Sequence, residues 1–161
     1  GLGKLVLSGD NTYTGSSNVN AGELEVSGSL NDSSALTVNS PARYIVSNND
    51  TIGSISGNGE VSLNSSQLTV GADNTTSTFS GILSGSGGLK KIGSGTLTLS
   101  GDNTFTGAML VESGTLNVEG ASPISAQCAS VATSNICVAD SSPSPEPEPS
   151  PESPPVKARP T

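Results

Sequence analysis

Residues Gly95–Gly120 read GTLTLSGDNTFTGAMLVESGTLNVEG, and residues Gly3–Gly28 read GKLVLSGDNTYTGSSNVNAGELEVSG. The two align without a gap at an offset of 92 residues, with 15 of 26 positions identical and Tyr13 matched by Phe105. Each copy contains a shorter echo. GKLVLSG at Gly3 recurs as GELEVSG at Gly22, and GTLTLSG at Gly95 recurs as GTLNVEG at Gly114, a step of 19 residues in both. Short strands and glycine turns repeating at a period near 20 are the signature of a stacked solenoid, whose function lies on its surface rather than in a closed pocket.

The same unit, a small residue followed by alternating aliphatic positions and closed by another small residue, also starts at Ser34, Gly59 and Ser66. Alternation with period 2 places Leu5 and Leu7, Leu24 and Val26, Leu36 and Val38, Val61 and Leu63, Leu68 and Val70, Leu97 and Leu99, and Leu116 and Val118 inward, with the residues between them in water. Weaker strands are expected at Arg43–Val46, Thr51–Ile55, Thr78–Leu83, Leu89–Ile92 and Leu110–Val111. Strands this short also suit an antiparallel sandwich. The 19-residue step favours instead a coil that turns through three short faces and returns above its start, setting Leu5 beside Leu24 in parallel register at about 4.8 Å. About six coils then fit before Ala121, a rod about 30 Å long. No apolar stripe of helical period persists beyond one turn.

Composition fits this picture. Of 161 residues only Tyr13, Tyr44, Phe79 and Phe105 are aromatic, so the core is expected to be thin and aliphatic, each coil burying a few methyl groups against its neighbours. Net charge is −8, and Lys4, Arg43, Lys90, Lys91, Lys157 and Arg159 form no stripe able to neutralise phosphates, which argues against nucleic acid as a partner. No apolar run approaches the ~20 residues of a membrane helix. Gly1–Lys4 align with Gly93–Thr96, so the chain opens partway through a repeat and reads as a piece of something longer.

Gly supplies the positive φ that corners need, and Asn and Asp tolerate it while bonding their own backbone; this is the reading given to GDNTYTG (Gly9–Gly15) and GDNTFTG (Gly101–Gly107). The competing readings are a calcium loop using Asp10, Asn11, Asp102 and Asn103, or a glycine-rich phosphate cradle. Calcium nonapeptides carry Asp in every short repeat, and a phosphate loop needs a following helix and a Lys beside Ser or Thr. Neither pattern is present in the sequence.

The string GGLKKIGSGTLTLSGDNTFTG followed by LVESGTLNV, Gly87–Val118, resembles the autotransporter-associated β-strand repeat of Gram-negative passenger regions. Residues 3–26 repeat its latter part, and ADNTTSTFSGILSGSGG (Ala72–Gly88) is similar to the family's usual lead-in, so the likeness covers most of residues 1–120. The resemblance implies a right-handed parallel β-helix carried to the cell surface by an outer-membrane barrel in the parent protein, with roles in adhesion, aggregation or display. It implies no catalytic residues, no cofactor and no metal. A transmembrane barrel needs eight or more amphipathic strands, which nothing after Ala121 supplies, so insertion into the membrane by this chain itself is not expected.

All 20 Gly lie at or before Gly120 and eight of ten Pro at or after Pro143. The chain therefore divides into a β-helix repeat region over 1–121, a short capping or linker segment over 122–141, and a Pro/Ser/Glu-rich extended linker over 142–161, with SPSPEPEPSPESPPVKARP adopting polyproline II as a spacer. A docking ligand for a proline-reading domain is the sharper alternative. Cys128 and Cys137 bracket the eight residues ASVATSNI, and in an exported protein a disulfide between them is plausible. Two reduced thiols or a metal pair are the alternatives, though two sulfurs with no His make a poor zinc site.

Without His, Ser-His-Asp and Cys-His chemistry are excluded. A polysaccharide-acting β-helix would use carboxylates on a groove. Glu23 and Glu25 lie two apart on one outward face, and Asp10, Glu60 and Glu112 are scattered, which a solvated surface explains. An ice- or glycan-binding solenoid needs Thr rows in every coil, and Lys4, Val6, Glu23 and Glu25 interrupt them. The sequence thus favours a non-enzymatic stalk or display scaffold on the cell surface of a Gram-negative bacterium or secreted from it. Its partners would be host or bacterial surface receptors, or further copies of itself.

Overall fold

The computed structural model describes residues 2–122 and the backbone of Cys128–Ser130 and Ile136–Ala139. The strands are β1 (Lys4–Leu7), β2 (Ser17–Val19), β3 (Glu23–Val26), β4 (Ala35–Val38), β5 (Arg43–Val46), β6 (Asp50–Ile52), β7 (Ser54–Ser56), β8 (Glu60–Ser62) and β9 (Leu68–Val70). They continue as β10 (Ser77–Phe79), β11 (Ile82–Ser84), β12 (Leu89–Lys91), β13 (Thr96–Leu99), β14 (Met109–Val111), β15 (Thr115–Val118), β16 (Cys128–Ser130) and β17 (Ile136–Ala139). No helix occurs among the described residues.

Every strand pairing is parallel, and the stack is a β-solenoid of about six turns. One face is the sheet β1-β3-β5-β8-β11, and a second is β16-β14-β12-β9-β6. The third face is made of β2-β4-β7 and β10-β13-β15-β17, joined by a parallel bridge between Gly57 and Phe79. Leu5 pairs with Leu24 and Leu97 with Leu116, the 19-residue rungs read from the repeats. Elsewhere the coil length changes, from 17 residues between Tyr44 and Val61 to 22 between Val61 and Leu83.

Because coil length varies, the 92-residue duplication is not a whole number of turns. The first copy puts β1 and β3 on the first face, and the second puts β13 and β15 on the third. Each copy keeps its internal register on whichever face it reaches. The strand–turn–strand unit is therefore encoded locally, and its place around the axis depends on the residues inserted between copies.

The inward rows form one continuous core. Leu24, Tyr44, Val61 and Leu83 stack on the first face, Leu68, Leu89 and Met109 on the second, and Leu97 and Leu116 on the third, all buried. Burial of one such side chain is worth about 1.5–3 kcal/mol, so the rod gains stability rung by rung. Glycines let the corners nest: a Cβ at Gly81 would lie 1.9 Å from the Gly59 carbonyl oxygen, one at Gly101 2.0 Å from that of Gly81, and one at Gly120 2.0 Å from that of Gly101.

Several expectations need correction. Leu5 does not point into a core; it is 59% exposed, because β1 is the terminal rung among the described residues and only β3 pairs with it. The core is not purely aliphatic, since Tyr44, Phe79 and Phe105 are fully buried. The stretch Thr51–Ile55 is two strands on different faces, β6 and β7, separated at Gly53, and Thr78–Leu83 likewise becomes β10 and β11 around Gly81. At both glycines the preceding coil lies too close for a side chain, with the Ser33 oxygen 2.7 Å from a Cβ at Gly53, so the chain turns a corner there. Ser62, on an outward row, is buried and donates to Asn64 Oδ1 at 3.1 Å. Strand β2 had no counterpart in the pattern, because SNV carries a single aliphatic residue.

The tail over 142–161 and the side chains of Cys128 and Cys137 lie outside the described residues. The backbone of the cysteine-bearing segment extends two faces by one rung each, Cys128 opposite Met109 and Cys137 opposite Leu116.

Candidate functional surface

The outward side of the first face carries one continuous charged row. Lys4, Glu23, Arg43, Glu60 and Ile82 occupy successive rungs, and the neighbouring row runs Val6, Glu25, Ile45, Ser62 and Ser84. Arg43 stands between two carboxylates, 3.3 Å from Glu60 and 3.9 Å from Glu23. Lys4 forms an ion pair with Glu25, which also accepts from Ser47 Oγ at 2.7 Å. Ser84 Oγ donates to Glu60 at 3.0 Å, and on the second face Lys90 pairs with Glu112 at 2.9 Å.

This geometry decides how the carboxylates singled out by sequence behave. Glu23, Glu25, Glu60 and Glu112 each face a cation on an adjacent rung. A glycosidase acid must be held above its ordinary range. Glu25 is shifted the other way, lowered first by its bond to Lys4 and then by Ser47, while the same bond raises Lys4. The row is a charge-matched exposed ladder whose pairs contribute little to stability.

The Asp and Asn of the two turns are spent on the backbone. Asn103 Nδ2 donates to the Gly101 carbonyl at 2.7 Å, and its Oδ1 accepts the Leu83 N–H at 3.0 Å. Asn11 Nδ2 donates to Gly9 at 2.7 Å and Ser29 at 2.9 Å. Asp102 accepts the Ala121 N–H at 3.1 Å, and Asp10 accepts from Ser29 Oγ at 3.2 Å. These side chains clamp each turn to its own strand end and to the next coil, the structural role read from the sequence. One detail differs. Gly101 and Gly107 are needed for close approach of the preceding coil rather than for positive φ, while the non-glycine corners with positive φ are Asn64 and Asn74.

Two ionisable groups escaped the sequence because they occupy inward positions. Asp50, 5% exposed, sits in register with Leu68. Its carboxylate accepts from the backbone N–H of Leu30 at 3.2 Å and Thr51 at 3.0 Å and from Tyr44 Oη at 3.4 Å. Burial raises Asp50 above the ordinary range against these bonds, and burial also pushes Tyr44 well above its usual value. Lys91, 1% exposed, replaces an aliphatic residue in the row Ile52–Val70–Lys91–Val111. Its ammonium donates to the carbonyls of Ile92 and, at 3.1 Å, Gly93. Desolvation lowers its pKa and the nearby Asp73 opposes that shift. The only signal in the sequence was a charged residue at an alternating inward position of DTI and LKK.

Among the described residues no group of three or more Asp, Glu, His or Cys is placed to hold a metal ion. The larger surface cavities are a hollow of about 400 Å³ at the β1 end and one of about 220 Å³ beside Pro41 and Ile82.

With the rungs and turns in place, the duplication can be compared with known proteins. The profile of the passenger-associated-transport-repeat matches residues 1–26 and 89–118, whose ends, Val26 and Val118, are themselves 92 residues apart. These are autotransporter passenger repeats. A second comparison agrees: the chain is 35% identical over 100 residues to the adhesin BmaC autotransporter of Brucella suis biovar 1 (strain 1330), an alignment covering 62% of this chain and 3% of that adhesin. The passenger repeats thus account for β1–β3 and β12–β15, while the coils between them share the fold without matching the profile. No solved structure matches the chain.

Proposed function

We propose that this chain is a non-enzymatic part of a surface-exposed or secreted autotransporter passenger, acting as a β-helical stalk or display scaffold for adhesion or aggregation. The observation that carries the proposal is the union of passenger repeats with an all-parallel solenoid whose outward carboxylates are paired off rung by rung. Similarity to a protein described as an adhesin supports a role in contact between surfaces. The parent protein would carry an outer-membrane barrel, and the contacts would be with receptors on host or bacterial cells or with other copies of the passenger. Residues 1–121 form the rod, 122–141 a cap or linker with a disulfide between Cys128 and Cys137, and 142–161 a spacer.

The test is to couple the full chain to beads and measure clumping of the beads alone and with bacterial or host cells. Clumping above that of uncoated beads supports adhesion or self-association, and its absence leaves the rod as a spacer only. Incubation with a polysaccharide panel checks the enzymatic alternative. Product formation abolished by Glu23→Gln or Glu60→Gln would overturn the non-enzymatic reading.

A further inference from the structure

The two passenger repeats have nearly the same sequence but not the same surroundings. Gly95, Gly101 and Gly107 in the second copy are pressed by the coil before them: a Cβ there would lie 2.0, 2.0 and 2.2 Å from the carbonyl oxygens of Thr75, Gly81 and Gly87. Their counterparts Gly3, Gly9 and Gly15 have nothing within 4 Å of a Cβ and no positive φ. Nothing in the isolated rod therefore requires glycine at those three places. The aromatic position shows the same contrast, Phe105 being fully buried and Tyr13 42% exposed. So does the first rung, where Leu97 is covered by β10 and Leu5 is open.

We propose that the end of the solenoid formed by β1 is a docking face for one further coil with the pattern of residues 72–92, seated in parallel register. The occupant is specified by an interface already present in this chain. Residues 72–92 contribute β10, which pairs with β13; Leu83, whose carbonyl accepts from the backbone of Thr104 and Phe105; and β12, which pairs with β14. Shifted by 92, those partners are β1, the stretch Thr12–Tyr13, and β2. The hollow lined by Leu5, Asn18, Val19 and Leu24 lies on this end, where such a coil would run. Gly3, Gly9 and Gly15 then have the same purpose as their counterparts, leaving room for three carbonyls of the incoming backbone. The inference rests on the fold and on glycine spacing, and stands whether or not the rod is adhesive.

The experiment compares the full chain with the same chain carrying a second copy of residues 72–92 fused directly before Gly1. That segment contains no tyrosine, so Tyr13 and Tyr44 remain the only two, and Tyr44 is buried already. The expected result is that acrylamide quenching of tyrosine fluorescence falls sharply in the extended chain. Gly9→Ala and Gly15→Ala are expected to leave the thermal midpoint of the original chain unchanged and to lower that of the extended chain by several degrees. Unchanged quenching, equal effects of the glycine variants in both chains, or loss of the β-sheet signal on extension would each overturn the proposal. Protection of Tyr13 in the original chain through dimerisation would overturn the choice of occupant.

Discussion

Leu97 is paired in parallel register with Leu116, nineteen residues further along, and both side chains are buried. Leu5 and Leu24 make the same pairing on another face, with Leu5 left open. Position in the stack, not residue identity, sets what each leucine contributes. Leu116→Ala is expected to destabilise the chain by about 2–5 kcal/mol, whereas Leu5→Ala is expected to change it by about 0.5 kcal/mol or less. Urea denaturation followed by circular dichroism checks both.

Asp50 and Asn103 perform the same task with different chemistry. Each accepts a backbone N–H from the residue 20 positions earlier, Leu30 and Leu83 respectively, but only Asp50 is ionisable. Burial raises the folded pKa of Asp50 above its ordinary 3.8, so the folded chain holds that proton more tightly than the unfolded one. Its stabilising contribution is full below the unfolded value and is lost as pH rises through the folded one. Asp50→Asn is accordingly expected to be more stable than the parent at pH 7 and to lose that advantage near pH 3. Asp50→Ala, leaving the Leu30 N–H unpaired, is expected to cost about 1–3 kcal/mol. Thermal melts across pH measure these differences.

Lys91 has the opposite sign. Burial lowers its folded pKa below the ordinary 10.5, so the unfolded chain binds the proton more tightly. Between the depressed folded value and 10.5 stability rises with pH, and below that window the buried charge opposes folding. Lys91→Met keeps the stem in the aliphatic row and removes the charge. Its stability relative to the parent is expected to be greatest near neutrality and to fall as pH approaches 10.5, read from paired denaturation curves.

The charged row should behave as a solvated surface. Arg43→Ala removes contacts to Glu23 and Glu60, all partly exposed, and is expected to cost about 1 kcal/mol or less and to matter less in 1 M salt. Melts with and without added salt check this.

The rungs were legible because alternation with period 2 and a shared 19-residue step are local properties of the chain. Leu24, Leu36, Leu68 and Leu116 could be placed inside from their neighbours alone. What was not legible depends on the coil above or below. Gly53 and Gly81 turn corners because another coil's carbonyl lies against them, which no single stretch reveals. Asp50 and Lys91 are tolerated inside because backbone groups reach them, Leu30 from the preceding coil in one case and Gly93 from the adjoining corner in the other. The shift of the second repeat to another face follows from coils of 17 to 22 residues, lengths set by loops without periodicity. Among the surface residues, Glu23 and Glu25 were placed outward by alternation, but their partners Arg43 and Lys4 come from neighbouring rungs and emerge only from the register.

The account stands on parallel stacking of successive coils, and backbone nuclear Overhauser contacts in solution test that most directly. The expected result is contact between the backbones of Leu97 and Leu116, and of Leu5 and Leu24, in a parallel pattern without strong Hα–Hα cross-peaks. Strong Hα–Hα cross-peaks between strands, or pairing of Leu97 with any other strand in antiparallel register, would contradict it.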